Sequence, residues 1–375
     1  MNFDYVVMPA IIFVIGVLII WLSIRRIKSL SLKTLSPARK AAERIALSLV
    51  VIIAAIVAGS SSFNAIALHH FWSSHPPAGQ FVQVDGHTMH LDCTGSGSPT
   101  IILDAELGND SLEWGEIQPA LSKTTRVCSY DRAGFGWSDP LPAPRDADHI
   151  ADELHQMLLQ AQITGPIILM GHSISGLYMR DYTTHYPANV VGLVFVDVST
   201  PLQDKNPAFK TSSKGPPSWL LSSAMIVGVP RLIGMCSPST KGPEAAFKKL
   251  KAEDICRMHY SAMANELASF DRSGRETLDT GPYGSLPILI LSHDPAKMLV
   301  KSRSAKEPSR QKAWTQMQKG LLILSTRSEQ IIALGSSHNI PSDRPGLIEK
   351  SVTSFVEQIR GTTPPPTNYG GTTSE

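Results

Sequence analysis

Gly171-His172-Ser173-Ile174-Ser175-Gly176 is the segment of this sequence best suited to chemistry. It follows the apolar run Pro166–Met170 and leads into a helix-like stretch from Leu177. A strand that turns sharply into a helix needs small residues two before and two after its tip. Gly171 and Ser175 hold those positions, and the tip is Ser173, whose hydroxyl such an elbow exposes. Ser175 is bulkier than glycine, which strains the turn without excluding it. A serine hydroxyl is a poor nucleophile at neutral pH and needs an adjacent base. The base needs a carboxylate to hold its tautomer. The oxyanion formed on attack needs N–H donors already in place, and the Ile174 backbone N–H, next after the nucleophile, is one expected donor. This chemistry requires no metal and no organic cofactor, and none is expected. His172, inside the elbow, is read as support for the turn.

The elements that would position Ser173 can be read on either side of it. Phe81–Asp85 and Thr88–Asp92 flank Gly86-His87 and form a hairpin. Pro99–Leu103, Thr125–Tyr130, Pro166–Met170, Val190–Val196, Leu286–Leu291 and Glu329–Leu334 are compact apolar runs. Ile150, Leu154, Leu158 and Ala161 recur at helical spacing within Asp146–Ala161. Strands alternating with helical stretches predict an α/β fold: a mostly parallel eight-stranded sheet with helices on both faces. Thr200–Ser285 is too long for an ordinary crossover and reads as a helical cap insert, about 200–285, containing the apolar Trp219–Met235. Residues 361–375 are rich in Pro, Thr and Gly and read as a disordered tail.

Residues 80–360 resemble the α/β-hydrolase group that contains esterases, lipase-like enzymes and proline iminopeptidase-like peptidases. Asp131-Arg132-Ala133-Gly134-Phe135-Gly136-Trp137-Ser138 resembles that group's D-x-x-G-x-G-x-S turn, and Gly335-Ser336-Ser337-His338 resembles its histidine segment. These motifs stand in the family's order. The resemblance implies His338 as the base. It implies Asp294, after Leu286–Leu291, as the acid, with Asp197, at the end of Val190–Val196, as the alternative. It also implies a second oxyanion donor in the turn Asp104-Ala105-Glu106-Leu107-Gly108, by position the Glu106 N–H. Relatives with a similar turn carry glycine there, so the Glu106 carboxylate is a departure. Serine at the elbow argues against haloalkane dehalogenase chemistry, which uses aspartate at that position. The function implied is a serine hydrolase acting on a small-molecule or lipid-like ester, and less readily on an amide. The alternative, prompted by Ser175 and Glu106, is a catalytically inactive binding or signalling protein that keeps the fold.

The N-terminal part places this chemistry at a membrane. Val6–Ile24 and Ile45–Leu68 are uncharged runs long enough to span a bilayer as helices. Arg25, Arg26, Lys28, Lys33, Arg39, Lys40 and Arg44 all lie between them, which predicts a cytoplasmic loop and an extracytoplasmic catalytic domain. Residues 1–68 are read as the anchor and 69–80 as a linker. Cleavage after Ala65-Ile66-Ala67 is the competing reading of the second run. The remainder carries 27 Lys/Arg against 30 acids with no basic cluster, so no nucleic acid is expected as a partner. Cys93 and Cys128 fall on strands that the expected sheet order makes neighbours, and are a candidate disulfide in an oxidising compartment. Buried free thiols are the competing reading.

Overall fold

Alternate residues of the central strands enter different apolar layers, which is what buries the sheet on both faces. On one face lie Ile102, Leu169, Leu193, Phe195 and Ile290; on the other lie Ile101, Leu103, Met170, Val194 and Leu289. A computed structural model describes residues 3–142, 144–209, 217–237, 245–257, 260–301 and 304–361. Its strands are β1 Gln80–Val84, β2 His87–Thr94, β3 Thr100–Asp104, β4 Val127–Tyr130, β5 Ile167–His172, β6 Val190–Val196, β7 Ile288–His293 and β8 Ser328–Ala333. They form one eight-stranded sheet in the order β1-β2-β4-β3-β5-β6-β7-β8. β1, β2 and β4 pair antiparallel, and the pairs from β4 to β8 are parallel. The β1–β2 hairpin turns on Asp85 and Gly86, both at positive φ (47° and 81°), as a two-residue turn of this kind requires.

The helices are α1 Phe3–Ser29, α2 Pro37–Ser74, α3 Gln118–Leu121, α4 Ala147–Gln160, α5 Ser175–His185, α6 Ser218–Val227, α7 Val229–Leu232, α8 Ala245–Arg257, α9 Tyr260–Glu276, α10 Pro295–Lys301, α11 Glu307–Gly320, α12 Ile340–Asp343 and α13 Pro345–Ile359. α4 and α5 cover one face of the sheet with Leu154, Leu158, Met179 and Tyr182. α13 covers the other with Ile348, Val352 and Phe355. Each such side chain contributes about 1.5–3 kcal/mol when fully buried.

The chain divides into two compact units. The sheet unit comprises Ala78–Lys214 and Ala262–Glu375. The other comprises Met1–Pro77 and Gly215–Ser261, so the middle of the insert groups with the N-terminal helices. Both α1 and α2 are long and apolar enough to cross a membrane. The linker expected from His69 starts later. α2 continues to Ser74, because Leu68 and Phe71 are buried within its own unit. Cys93 on β2 is joined to Cys128 on β4, and Cys236 to Cys256. The tail after Gly361 lies outside the described residues.

Candidate active site

β5 ends in the elbow. Ser173, at its tip, has φ +56°, a left-handed conformation that is costly for a residue with a Cβ. The turn closes because its neighbours are small: a Cβ on Gly171 would meet Ser175 Oγ at 2.2 Å and Met179 Sδ at 2.4 Å. Ser175, where glycine is usual, is accommodated by a hydrogen bond from its hydroxyl to the His172 carbonyl (2.8 Å). Ile174 caps α5, so its N–H sits where a helix's first donors have no intrahelical acceptor.

The loop after β8 brings His338 to the elbow, with Nε2 3.1 Å from Ser173 Oγ. Its Nδ1 is 2.5 Å from Asp197 Oδ2. Asp197 follows β6, also at positive φ (48°), and is fully buried. Its carboxylate accepts three further bonds: from His293 N (3.1 Å), His293 Nδ1 (2.6 Å) and Trp314 Nε1 (2.9 Å). Burial alone would push this carboxyl up, but the hydrogen bonds and charge of His293 and His338 hold it well below the usual carboxylate range. His293 Nε2 in turn meets Gln311 Oε1 at 2.6 Å, which fixes that imidazole from both ends.

Asp294, the acid expected first, is not in this cluster. Its carboxylate is taken up by backbone N–H groups of Ala296 (2.9 Å) and Gly335 (2.9 Å), so it ties α10 to the start of the histidine loop. Each aspartate follows its strand directly, but Asp197 has a left-handed backbone and its carboxylate meets His338, whereas that of Asp294 meets backbone N–H groups.

The other side of His338 is built on Glu113 and His172. His172 is buried, with Nδ1 2.5 Å from Glu113 Oε1 and Nε2 2.9 Å from the His338 carbonyl. Both partners are acceptors, so both ring nitrogens must carry protons. Burial alone would push the His172 imidazolium down, but the charge and hydrogen bond of Glu113, the charge of Glu106 and the His338 carbonyl raise it to about 9. Glu113 is likewise pushed up by burial, and the charge of His172 brings it below its ordinary value. The Glu106 N–H, expected to serve the oxyanion, instead donates to Glu113 Oε2 (2.7 Å). Glu113 captures it because a buried carboxylate needs donors on both oxygens. The Glu106 side chain is partly exposed, and its Oε2 stands 3.7 Å from His172 Nδ1 and 3.9 Å from His338 Nε2. Arg132 holds this turn, donating to the carbonyls of Ala105 (2.7 Å) and Glu106 (3.0 Å) while paired with Asp104 and Glu266.

Residues 101–221 match the family model described as the alpha/beta hydrolase fold. A thermophilic esterase from Thermogutta terrifontis superimposes with a TM-score of 0.52 at 16% identity, covering 75% of this chain and 98% of that one. The chain is an α/β-hydrolase-fold protein. YqjL, an uncharacterized protein of Bacillus subtilis, is 26% identical over 275 residues, 72% of this chain and 88% of that protein. An uncharacterized protein of Schizosaccharomyces pombe is 39% identical over 85 residues, 23% of this chain and 16% of that one. This hydrolase-fold chain spans less than half the length of the first curated relatives it matches.

Two sets of side chains in this α/β-hydrolase-fold site lie close enough to share an ion: Glu106, His172 and His338, and Asp197, His293 and His338. In each, the ring nitrogens of His172 or His293 are already bound to other groups, so coordination would first break those bonds. The residues that sequence reasoning missed are Glu113, His293 and Trp314. Glu113 carried one faint signal: an acid inside the short turn Ser111–Trp114, next to a large apolar residue.

Proposed function

We propose that this chain is a membrane-anchored serine hydrolase that cleaves carboxylic esters through an acyl-enzyme. The fold family supports a hydrolase in general. The observation that carries the finer reading is the line Ser173 Oγ–His338 Nε2–Asp197, at 3.1 and 2.5 Å. His338 takes the Ser173 proton as Oγ bonds to the acyl carbon. It then passes that proton to the departing alkoxide as the ester C–O bond breaks. Water, deprotonated by His338, attacks the acyl carbon, and Ser173 recovers its proton as the acid leaves. Asp197 holds the imidazole in the tautomer that offers Nε2 to Ser173. The Ile174 N–H is the donor assigned to the oxyanion. Esters are favoured over amides because an alkoxide leaves more readily than an amide nitrogen.

The membrane reading rests on α1 and α2, whose facing ends and short connection (residues 25–44) hold all seven Lys/Arg of the first 68 residues. It puts that segment in the cytoplasm and the sheet unit outside. A fluorophosphonate probe tests the chemistry. Full-length protein is expected to label, and Ser173→Ala to lose labelling while keeping its fold. Folded wild-type protein that never labels would instead support an inactive binding protein. The observation favouring that second reading is Glu106, with its N–H committed to Glu113 and its carboxylate beside His338.

A further inference from the structure

Three polar side chains in the outer part of α2, Ser60, Ser61 and Asn64, bind the end of one other helix. Ser60 Oγ donates to the Val227 carbonyl (2.6 Å), Ser61 Oγ to Ile226 (3.0 Å) and Asn64 Nδ2 to Met225 (3.2 Å). Those carbonyls form the last turn of α6, where a helix runs short of donors of its own; Met225 also accepts the Gly228 N–H (2.9 Å). Gly228 ends α6 at φ +83°, and a Cβ there would meet Asn64 Cβ at 2.7 Å, so the approach to α2 is close. Arg231 is the one charged residue between Trp219 and Met235. Its guanidinium is tied to Asn64 Oδ1 (2.9 Å) and to Glu253 of α8 (2.6 Å). The Cys236–Cys256 bond fixes the end of the segment to α8, packed against Leu68 and Trp72 of α2.

This anchoring occupies the α6 carbonyls and Arg231 and leaves several apolar side chains outward. Trp219, Leu220, Leu232, Ile233 and Met235 are exposed, Trp219 to 67% and Ile233 to 68%. Several large apolar side chains left exposed on one short segment suit contact with a partner or a membrane. Its height along α2 identifies which. From Arg44, the last Lys/Arg of α2, to Asn64 is 20 residues. At about 1.5 Å per residue that rise is about 30 Å, the thickness of a hydrocarbon core. The α6 terminus is therefore docked at the far margin of the bilayer that α2 would cross, the level where tryptophan concentrates.

We infer that 217–237 is an interfacial element bedded in the outer leaflet, with lipid acyl chains covering Trp219, Leu232 and Ile233. It rests on the reading of α1 and α2 as membrane spans. The insert then forms part of the membrane anchor, and α2 is a docking post as well as a tether.

Spin labels test this in full-length protein reconstituted into phosphatidylcholine/phosphatidylglycerol vesicles. Nitroxides are placed singly at Trp219→Cys, Leu232→Cys and Ile233→Cys. Leu18→Cys and Ile52→Cys serve as lipid references on α1 and α2, Lys319→Cys as the aqueous reference, and unmodified protein as the blank. The expected result is several-fold higher accessibility to oxygen than to a water-soluble nickel chelate at 219, 232 and 233, relative to Lys319. Nickel-dominated accessibility there, with Leu18 and Ile52 still reading as lipid, overturns the inference and leaves the anchor intact. Low accessibility to both reagents, as a protein partner or second copy would produce, also overturns it. Nickel-dominated accessibility at Leu18 and Ile52 overturns the membrane reading itself.

Discussion

His338 is held from two sides, and the two are built differently. On one side Asp197 accepts four donors and points its charge along the axis to Ser173. On the other, His172 sits between Glu113 and the His338 carbonyl and touches the backbone of the loop. The first side acts on the imidazole ring, the second on the position of the loop that carries it. Orientation of the ring should therefore be lost by changes at Asp197, and stability of the loop by changes at His172 and Glu113.

The largest effect separates the two aspartates. Asp197→Asn is expected to slow fluorophosphonate labelling by about a thousandfold or more, as the ring loses its orienting carboxylate. Asp294→Asn should stay within a few-fold of wild type, because its bonds go to backbone outside that line. Equal losses from both substitutions would overturn the assignment of Asp197.

The second side is broken by a double-mutant cycle. His172→Gln leaves Glu113 buried without its counter-charge and is expected to cost about 3–5 kcal/mol in chemical denaturation. His172→Gln combined with Glu113→Gln should recover much of that loss. Additive losses would show that the pair does not act as a unit.

The same pair predicts a pH trend. The His172 pKa is raised to about 9 in the folded state, against about 6.5 unfolded. Its contribution is thus complete below about pH 6.5 and is lost as pH rises through about 9. Melting in detergent should fall by several degrees between pH 7 and 10, and the double substitution should flatten that slope. An unchanged slope would assign the alkaline loss to other groups.

The smallest effect concerns Glu106. Its partly exposed carboxylate near His338 Nε2 should favour substrates that carry a cation beside the scissile carbonyl. Glu106→Gln is expected to lower the kcat/KM ratio of cationic to neutral esters by about fivefold, the equivalent of about 1 kcal/mol for a solvent-screened ion contact. A ratio that does not move places the carboxylate away from bound substrate.

Ser173 was legible because everything that exposes it is local: an apolar strand, small neighbours and a helix. The strands were legible for the same reason, six as apolar runs bounded by turn residues and the first two as a hairpin around Gly86. The acid was not, since Asp197 and Asp294 each follow an apolar strand. What separates them is the left-handed backbone at Asp197 and the converging side chains of Trp314 and His293, 117 and 96 residues away. Glu113 escaped because its partner His172 lies 59 residues downstream, with no spacing rule to connect them. The grouping of 215–261 with the N-terminal helices was hidden as well, since it depends on single polar side chains within apolar runs.

The conformation of Ser173 has an evolutionary consequence. Left-handed backbone is free to glycine and costly to serine, so Ser173→Gly should make the protein more stable while removing its hydroxyl. Any lineage released from the need for catalysis would drift toward glycine here, pulled by folding alone. Serine retained at this position among descendants of this chain would therefore be a running record of selection for the reaction, legible without assaying any of them.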